Sequence, residues 1–466
     1  MKRYTSLLVC ASFLLYFIAP SSYNRTFCII CAIVYALIAI SSLRTDFLQK
    51  KYLSFNLLFW IGVFFCTFTI PILASEADPI LFVLDDKICK TTALVVVASS
   101  MYHVGYVITM KTHNRDESNQ LSLRTVNYPS LFMNVLSVLI TILLLLTVAS
   151  FVRTTSTEVN DLGMGYWATI MQSCLSLIFI LSVISNKDKT KKNLSSFFSN
   201  NIIIVTCILI IVLASLYIGD RTTPLYFLLL LGSVYVYYIK PVSLSALASL
   251  LLVSALSFYF IGQTRQGDAS LRNSGLSGLS QNFNEVISNT DGIADYASDF
   301  LPANSALYIC YDWKENNGYY YPLKLIVVAA SPIPFLPSFL SNLIYNAPAS
   351  GDLNSDVLST RVYGQKISDI NGGLGTHCVG DIYVSWGFIG VLLFFFLFGL
   401  LIARSQSSCI SNIYGAIVYF SMIGNAVYIP RASIFGSYRL IAFQIFFLWL
   451  LQLFFRMRVF SKPELS

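Results

Sequence analysis

Long, nearly uncharged apolar runs recur along the whole chain, and they restrict its fold more than any other feature of the sequence. They lie at 4–19, 26–42, 53–73, 91–110, 130–152, 166–185, 200–218, 224–239, 242–261, 386–403, 412–429 and 437–455. Each is long enough, or nearly so, to cross the hydrocarbon of a bilayer as a helix. Hydrocarbon offers the backbone no hydrogen-bond partners, so a spanning segment of this kind must satisfy its own N–H and C=O groups as a helix. Water is excluded as the solvent for most of the surface, because only 11% of the 466 residues are charged and a soluble domain carries roughly 25%. The expected fold class is therefore an all-α polytopic membrane protein with about 12 transmembrane helices.

Basic residues orient those spans. Lys2, Arg3, Arg44, Lys50, Lys51, Lys111, Arg115, Arg124, Lys187, Lys189, Lys191, Lys192, Lys240, Arg404, Arg456, Arg458 and Lys462 all fall on one set of alternate connections. Only Asp46, Asp116, Glu117, Asp188 and Glu464 accompany them. Cytoplasmic loops are the ones enriched in Lys and Arg, so this face is expected to be cytoplasmic, with both termini inside. The opposite face has short turns apart from residues 262–385, a loop far longer than an ordinary connection. The chain thus divides into spans one to nine (1–261), one large periplasmic loop between spans nine and ten (262–385), and spans ten to twelve with a cytoplasmic tail (386–466). Stretches such as "ALYICYDW" and "PIPFLPSFLSNLIY" make the loop too apolar to be a disordered tether. Its segment 323–345 contains Pro332, Pro334 and Pro337, which would interrupt a spanning helix, so surface-lying or re-entrant helices are expected there.

The basic start followed by an apolar run lacks a small-x-small cleavage site and is read as the first span. Most of the ten cysteines lie inside apolar runs, where cysteine packs as a small apolar residue. No Cys/His spacing suits a metal, and the net charge of +7 is confined to short loops rather than gathered into a nucleic-acid surface. Neither a metal, a cofactor nor nucleic acid is expected. Cys310 and Cys378 are the loop's two cysteines, and an oxidising compartment would permit them to pair.

No span carries Asp, Glu, Lys or Arg at its middle, and His103 is the one titratable group there. Ion-coupled transporters usually need intramembrane charge, so chemistry is expected at the outer helix ends and in the large loop. Arg221, in the turn "YIGDRTTPLY", and Arg265, in "FIGQTRQGD", have the planar fork that binds a diphosphate through two oxygens at once. Both suit an interfacial anchor equally well. The stretch "NGGLGTHCVGDIYVSWGFIGV" brings His377, Asp381 and Tyr383 together among glycines. A carboxylate or imidazole there can accept a hydroxyl proton, while Asp381 can equally cap a helix start. Arg431 and Arg439 sit at the outer ends of the last two spans, where an anchoring role is favoured.

This pattern resembles the Wzy-type O-antigen polymerases. The likeness rests on twelve spans, cytoplasmic termini, one dominant late periplasmic loop, the Gly219-x-Arg221 turn, and Gly380-Asp381-x-Tyr383-x-x-x-Gly387-x-x-Gly390 at the loop exit. The Arg431 turn also has a counterpart in that family. The resemblance implies an inner-membrane glycosyltransferase of lipopolysaccharide biosynthesis that joins undecaprenyl-diphosphate-linked oligosaccharide repeat units on the periplasmic face. It implies Arg221 and Arg265 on the diphosphate, Asp381 at the acceptor hydroxyl with His377 in reserve, and Tyr383 and Arg431 as further substrate contacts. Membrane lipid is the surrounding partner, and the family leaves room for a chain-length regulator protein. The rival readings are an O-antigen ligase and an oligosaccharide-lipid flippase. A transporter should show two related halves with matched broken helices, whereas this chain concentrates its polar residues in one asymmetric loop.

Overall fold

A computed structural model describes residues 2–73, 85–113, 130–153, 164–186, 193–217, 220, 222–243, 245, 301–345 and 376–454. Fifteen α-helices and no strands occur among them. They are α1 Lys2–Ile18, α2 Arg25–Leu48, α3 Phe55–Leu73, α4 Asp85–His113, α5 Ser130–Arg153, α6 Met164–Asn186, α7 Leu194–Asn200, α8 Ile202–Tyr217 and α9 Thr222–Tyr238. After these come α10 Leu301–Asn317, α11 Lys324–Ala330, α12 Leu336–Tyr345, α13 Cys378–Ser408, α14 Ile413–Asn425 and α15 Tyr438–Phe454. Eleven of the twelve apolar runs coincide with helices, while 242–261 lies almost entirely outside the described residues. Among the described residues six helices are long and apolar enough to cross a membrane, or seven if α7 and α8, which meet at 91°, form one bent span. Helices α1, α9, α14 and α15 are apolar but shorter.

Local chemistry sets several boundaries. Asn24, Asn193 and Asn412 stand in extended conformation ahead of α2, α7 and α14, each accepting a backbone N–H of the first turn with its side-chain oxygen. Asparagine is favoured there because the first N–H groups of a helix have no partner within it. Between Lys324 and Tyr345 the chain forms the short helices α11 and α12, separated by a break that contains Pro332 and Pro334.

The core is organised around α4, which packs most extensively on α13 and also on α2 and α1. Two glycines make the α4–α13 crossing close. A Cβ on Gly105 would lie 2.1 Å from the Phe396 carbonyl oxygen, and one on Gly399 would lie 2.1 Å from the Tyr102 carbonyl oxygen. Where lipid removes the hydrophobic drive between helices, small residues that let backbones touch supply van der Waals contact instead.

At one end of this core the helix ends converge on α10 and α13. Tyr23 donates to the Pro71 carbonyl (2.8 Å), Lys90 to the Tyr16 carbonyl (2.6 Å), and Lys87 approaches Asp312 (3.7 Å). At the other end, α2 runs past its expected limit to Leu48 and carries Asp46 into the interior. Gln406 donates to Asp46 (2.7 Å), as does Asn56 (3.3 Å). Tyr102 donates to Asn56 (2.5 Å) and Tyr106 to Gln406 (2.9 Å), completing a buried polar network of α2, α3, α4 and α13. A buried carboxylate needs such donors, because unpaired charge is costly in a low-dielectric interior.

Candidate functional site

The site grows from the start of α13. His377 caps that helix in extended conformation (φ −123°, ψ 131°), and its Nδ1 accepts the Val379 N–H at 3.2 Å. Because Nδ1 is the acceptor, the imidazole proton sits on Nε2, which donates to Thr67 Oγ1 of α3 at 3.0 Å. Complete burial lowers the His377 pKa to about 3, which keeps the ring neutral. The cap expected at Asp381 is therefore His377, and the helix starts earlier than the sequence suggested. Asp381 lies within the first turn, its N–H bonded to the His377 carbonyl at 2.8 Å. An anion is favoured at that end of a helix.

Asp381 is fully buried, and the Lys324 ammonium donates to its Oδ1. Lys324 opens α11, where the preceding Leu323 offers no side-chain cap, and only 10% of its side chain is exposed. Sequence reasoning missed Lys324. The 57-residue separation from Asp381 hides the pairing, and an isolated lysine at the start of a short apolar segment gives no signal. Glu315 of α10 was also missed. Tyr383 donates to Glu315 Oε1 (2.8 Å) and stacks on Tyr311, with ring centroids 4.8 Å apart and planes at 9°. Partial burial raises the Glu315 pKa, but the hydrogen bonds from Lys314 and Tyr383 outweigh it, so the carboxyl lies below its ordinary value.

Gly387 divides α13. Its φ of +63° breaks the helix just after Trp386, separating the turns that carry Asp381 and Tyr383 from the long apolar remainder. Such a backbone conformation suits glycine, which has no Cβ to clash. Gly380 serves a different purpose, since a Cβ there would sit 3.2 Å from the Leu307 Cα and 3.3 Å from the Cys310 Cβ of α10. Cys310 and Cys378 are both buried and form no disulfide with one another.

Arg431 closes the turn Ile429–Arg431, and its carbonyl accepts the Thr376 N–H at 3.3 Å, beside His377. Its side chain is half-buried, and the guanidinium makes no ion pair or hydrogen bond among the described residues. Arg439 instead lies over the Tyr166 ring at 5.7 Å. The structure thus brings His377, Asp381, Tyr383 and Arg431 to one end of the bundle, whereas Arg221 and Arg265 lie outside the described residues. Among the described residues no group of three or more His, Cys, Asp or Glu side chains could hold a metal ion.

This end of the bundle offers a half-buried arginine, an ionised carboxylate with a tyrosine on it, and a buried lysine–aspartate pair. The first can neutralise an anionic leaving group and the carboxylates can orient hydroxyls. No curated protein and no solved structure matches the chain. A family model does, over residues 3–464, and it is that of the O-antigen polysaccharide polymerase Wzy. With nearly the whole chain matched, this membrane protein belongs to the Wzy O-antigen polysaccharide polymerase family.

Proposed function

We propose that the protein is a glycosyltransferase that extends O-antigen on the periplasmic face of the inner membrane, using undecaprenyl-diphosphate-linked repeat units. The growing glycan leaves its lipid diphosphate and is joined to a hydroxyl of the incoming repeat. Each transfer forms one C–O bond, breaks the bond to the diphosphate, and moves the hydroxyl proton to a base. The observation that carries this reading is Arg431, half-buried and without an ion-pair or hydrogen-bond partner among the described residues, beside the His377–Asp381 turn. A guanidinium in that setting can stabilise the negative charge building on a departing diphosphate more strongly than it could in water. Arg221 and Arg265 are assigned the same group, and Tyr383 a contact to the sugar.

Asp381 is assigned the acceptor proton. Its bond to Lys324 defines a resting arrangement, and the hydroxyl must replace the ammonium for the proton to transfer. His377 is the reserve base, although its lone pair is committed to the Val379 N–H in this arrangement. The basic residues of the alternate connections support twelve spans and cytoplasmic termini.

The test is complementation of a gene-deleted host, read on a lipopolysaccharide gel. Loss of a polymerase leaves core bearing one repeat, whereas loss of a ligase leaves bare core. Arg431→Ala and Arg221→Ala should each abolish long chains at normal protein level. The lysine variants should remain clearly impaired, because lysine keeps the charge but loses the bidentate geometry. Full-length polymer from both lysine variants would refute the diphosphate assignment, since a headgroup anchor tolerates either cation.

A further inference from the structure

Beyond the Glu315–Tyr383 contact, the turn from α10 to α11 presents rings and polar groups that the proposed chemistry leaves unused. Tyr319 is 61% exposed, and Lys314 Nζ lies 5.8 Å from the centre of its ring. Trp313 meets Tyr320 edge-on at 5.8 Å, and Tyr320 meets Tyr321 at 4.2 Å. Polar groups are interleaved with these rings: Asn316 and Asn317 are exposed, and Asp312 keeps 34% of its side chain in contact with solvent. Asn316 also donates to Asp312 at 2.8 Å.

The turn is held in a fixed shape. Gly318 has φ +84° and Tyr321 has φ +51°, a conformation that residues with a Cβ rarely adopt. Tyr320 N–H donates to the Val384 carbonyl (2.8 Å) and Trp386 Nε1 to the Pro322 carbonyl (2.7 Å), fastening the turn to the first part of α13. The glycine at the α13 kink gives it room, because a Cβ on Gly387 would stand 3.2 Å from the Tyr319 ring and 3.5 Å from Lys314 Cε.

We propose that this turn is a saccharide subsite, with Tyr319 as the ring on which a sugar of the glycan stacks. A pyranose has an apolar C–H face and a rim of hydroxyls. Aromatic faces match the first, and carboxylate and amide groups match the second. A row of rings serving only as an interfacial belt would need no interleaved carboxylate and amides. Lys314 links the turn to the segment bearing Asp381, its Nζ lying 5.8 Å from the centre of the Tyr319 ring and 5.4 Å from that of Tyr383. This assignment rests on the polymerase reading, and it adds the place where glycan is held beside the reacting centre.

The experiment uses full-length protein in lipid nanodiscs and, as probe, polysaccharide released by mild acid from the lipopolysaccharide of the host. Saturation-transfer NMR should show transfer to sugar ring protons, and a titration gives the affinity. Tyr319→Ala and Tyr319→Leu should each weaken binding about tenfold, the second because it keeps apolar bulk without a flat face. Tyr319→Phe should bind as the unaltered protein does. Absence of transfer to the unaltered protein, or equal affinity of the alanine variant, overturns the subsite. A gene-deleted host that still makes long chains overturns the polymerase reading instead, and the gel reports that separately from the binding measurement.

Discussion

Asp381 and Lys324 form a buried ion pair whose removal separates a structural role from a catalytic one. The Asp381 side chain is wholly buried and that of Lys324 is 10% exposed. Asp381→Asn would leave an ammonium with no compensating charge, and breaking a buried pair in this way typically costs about 3–5 kcal/mol. The pair lies at an end of the bundle rather than at its centre, so we expect about 3 kcal/mol. Lys324→Met should cost a similar amount by stranding the carboxylate. The double variant removes both charges and should recover at least about 2 kcal/mol relative to the summed single losses. Reversible unfolding of purified protein in mixed detergent–SDS micelles gives the three differences. Losses that add to within about 0.5 kcal/mol would show that the two groups do not act as a pair and would refute the geometry. The same double variant tests the chemistry. If Asp381 accepts the acceptor proton, restored stability should not restore polymer, because asparagine cannot take the proton. Long-chain glycan from the double variant would reduce Asp381 to a strut between α11 and α13.

Gly399→Ala should lower folded yield and cost more than about 2 kcal/mol, since its Cβ would fall 2.1 Å from the Tyr102 carbonyl oxygen. An unchanged unfolding midpoint would refute the close α4–α13 crossing. His377 supplies a pH signature. Its folded pKa of about 3 lies below the ordinary 6.5, so only the unfolded chain takes up this proton as pH falls between those values. The stability it supports is present above about pH 6.5 and declines below it by up to about 1.4 kcal/mol per pH unit. His377→Asn, which keeps a capping oxygen, should flatten that slope between pH 6 and 4, and an identical slope would refute a buried neutral imidazole. Single cysteines at Ser270 and Ser355 in a cysteine-free background should react with impermeant maleimide in spheroplasts, and one at Ser195 should not. The reverse pattern would overturn the orientation.

The helices were legible because lipid allows an uncharged run few alternatives to a helix, and Pro332 and Pro334 marked where the helical loop segment had to break. The lower end of α2 was hidden. Asp46, beside Arg44 and Lys50, reads as part of a solvated connection until Gln406, more than 300 positions away, supplies its donor. The same distance problem applied to the site. Gly380, Asp381, Tyr383 and Gly387 stood out as a local cluster, and the fold gives each a distinct task. The partners of Asp381, Tyr383 and His377, which are Lys324, Glu315 and Thr67, come from elements remote in sequence, and none of them belongs to a local pattern. His377 was recognised as a polar residue of interest, but whether it or Asp381 caps the helix depended on where the first turn began, which only the backbone reveals.

The glycine seam between α4 and α13 has a mechanical consequence. Where two backbones touch through Gly105 and Gly399, no side chain lies between them to swing aside, and sliding would drive carbonyl oxygens into the facing helix. The pair therefore behaves as one stiff post running from the Asp46 network towards the kink at Gly387. Compliance is left to the short helix α11, tied to its surroundings by few side-chain bonds, among them the Lys324–Asp381 pair and the Tyr438 hydroxyl on the Ala329 carbonyl. Admission of a bulky lipid-linked glycan would then be accommodated by displacement of α11 against a stationary frame. Spin labels on α4 and α13 should hold their separation when substrate binds, while one on α11 moves relative to both.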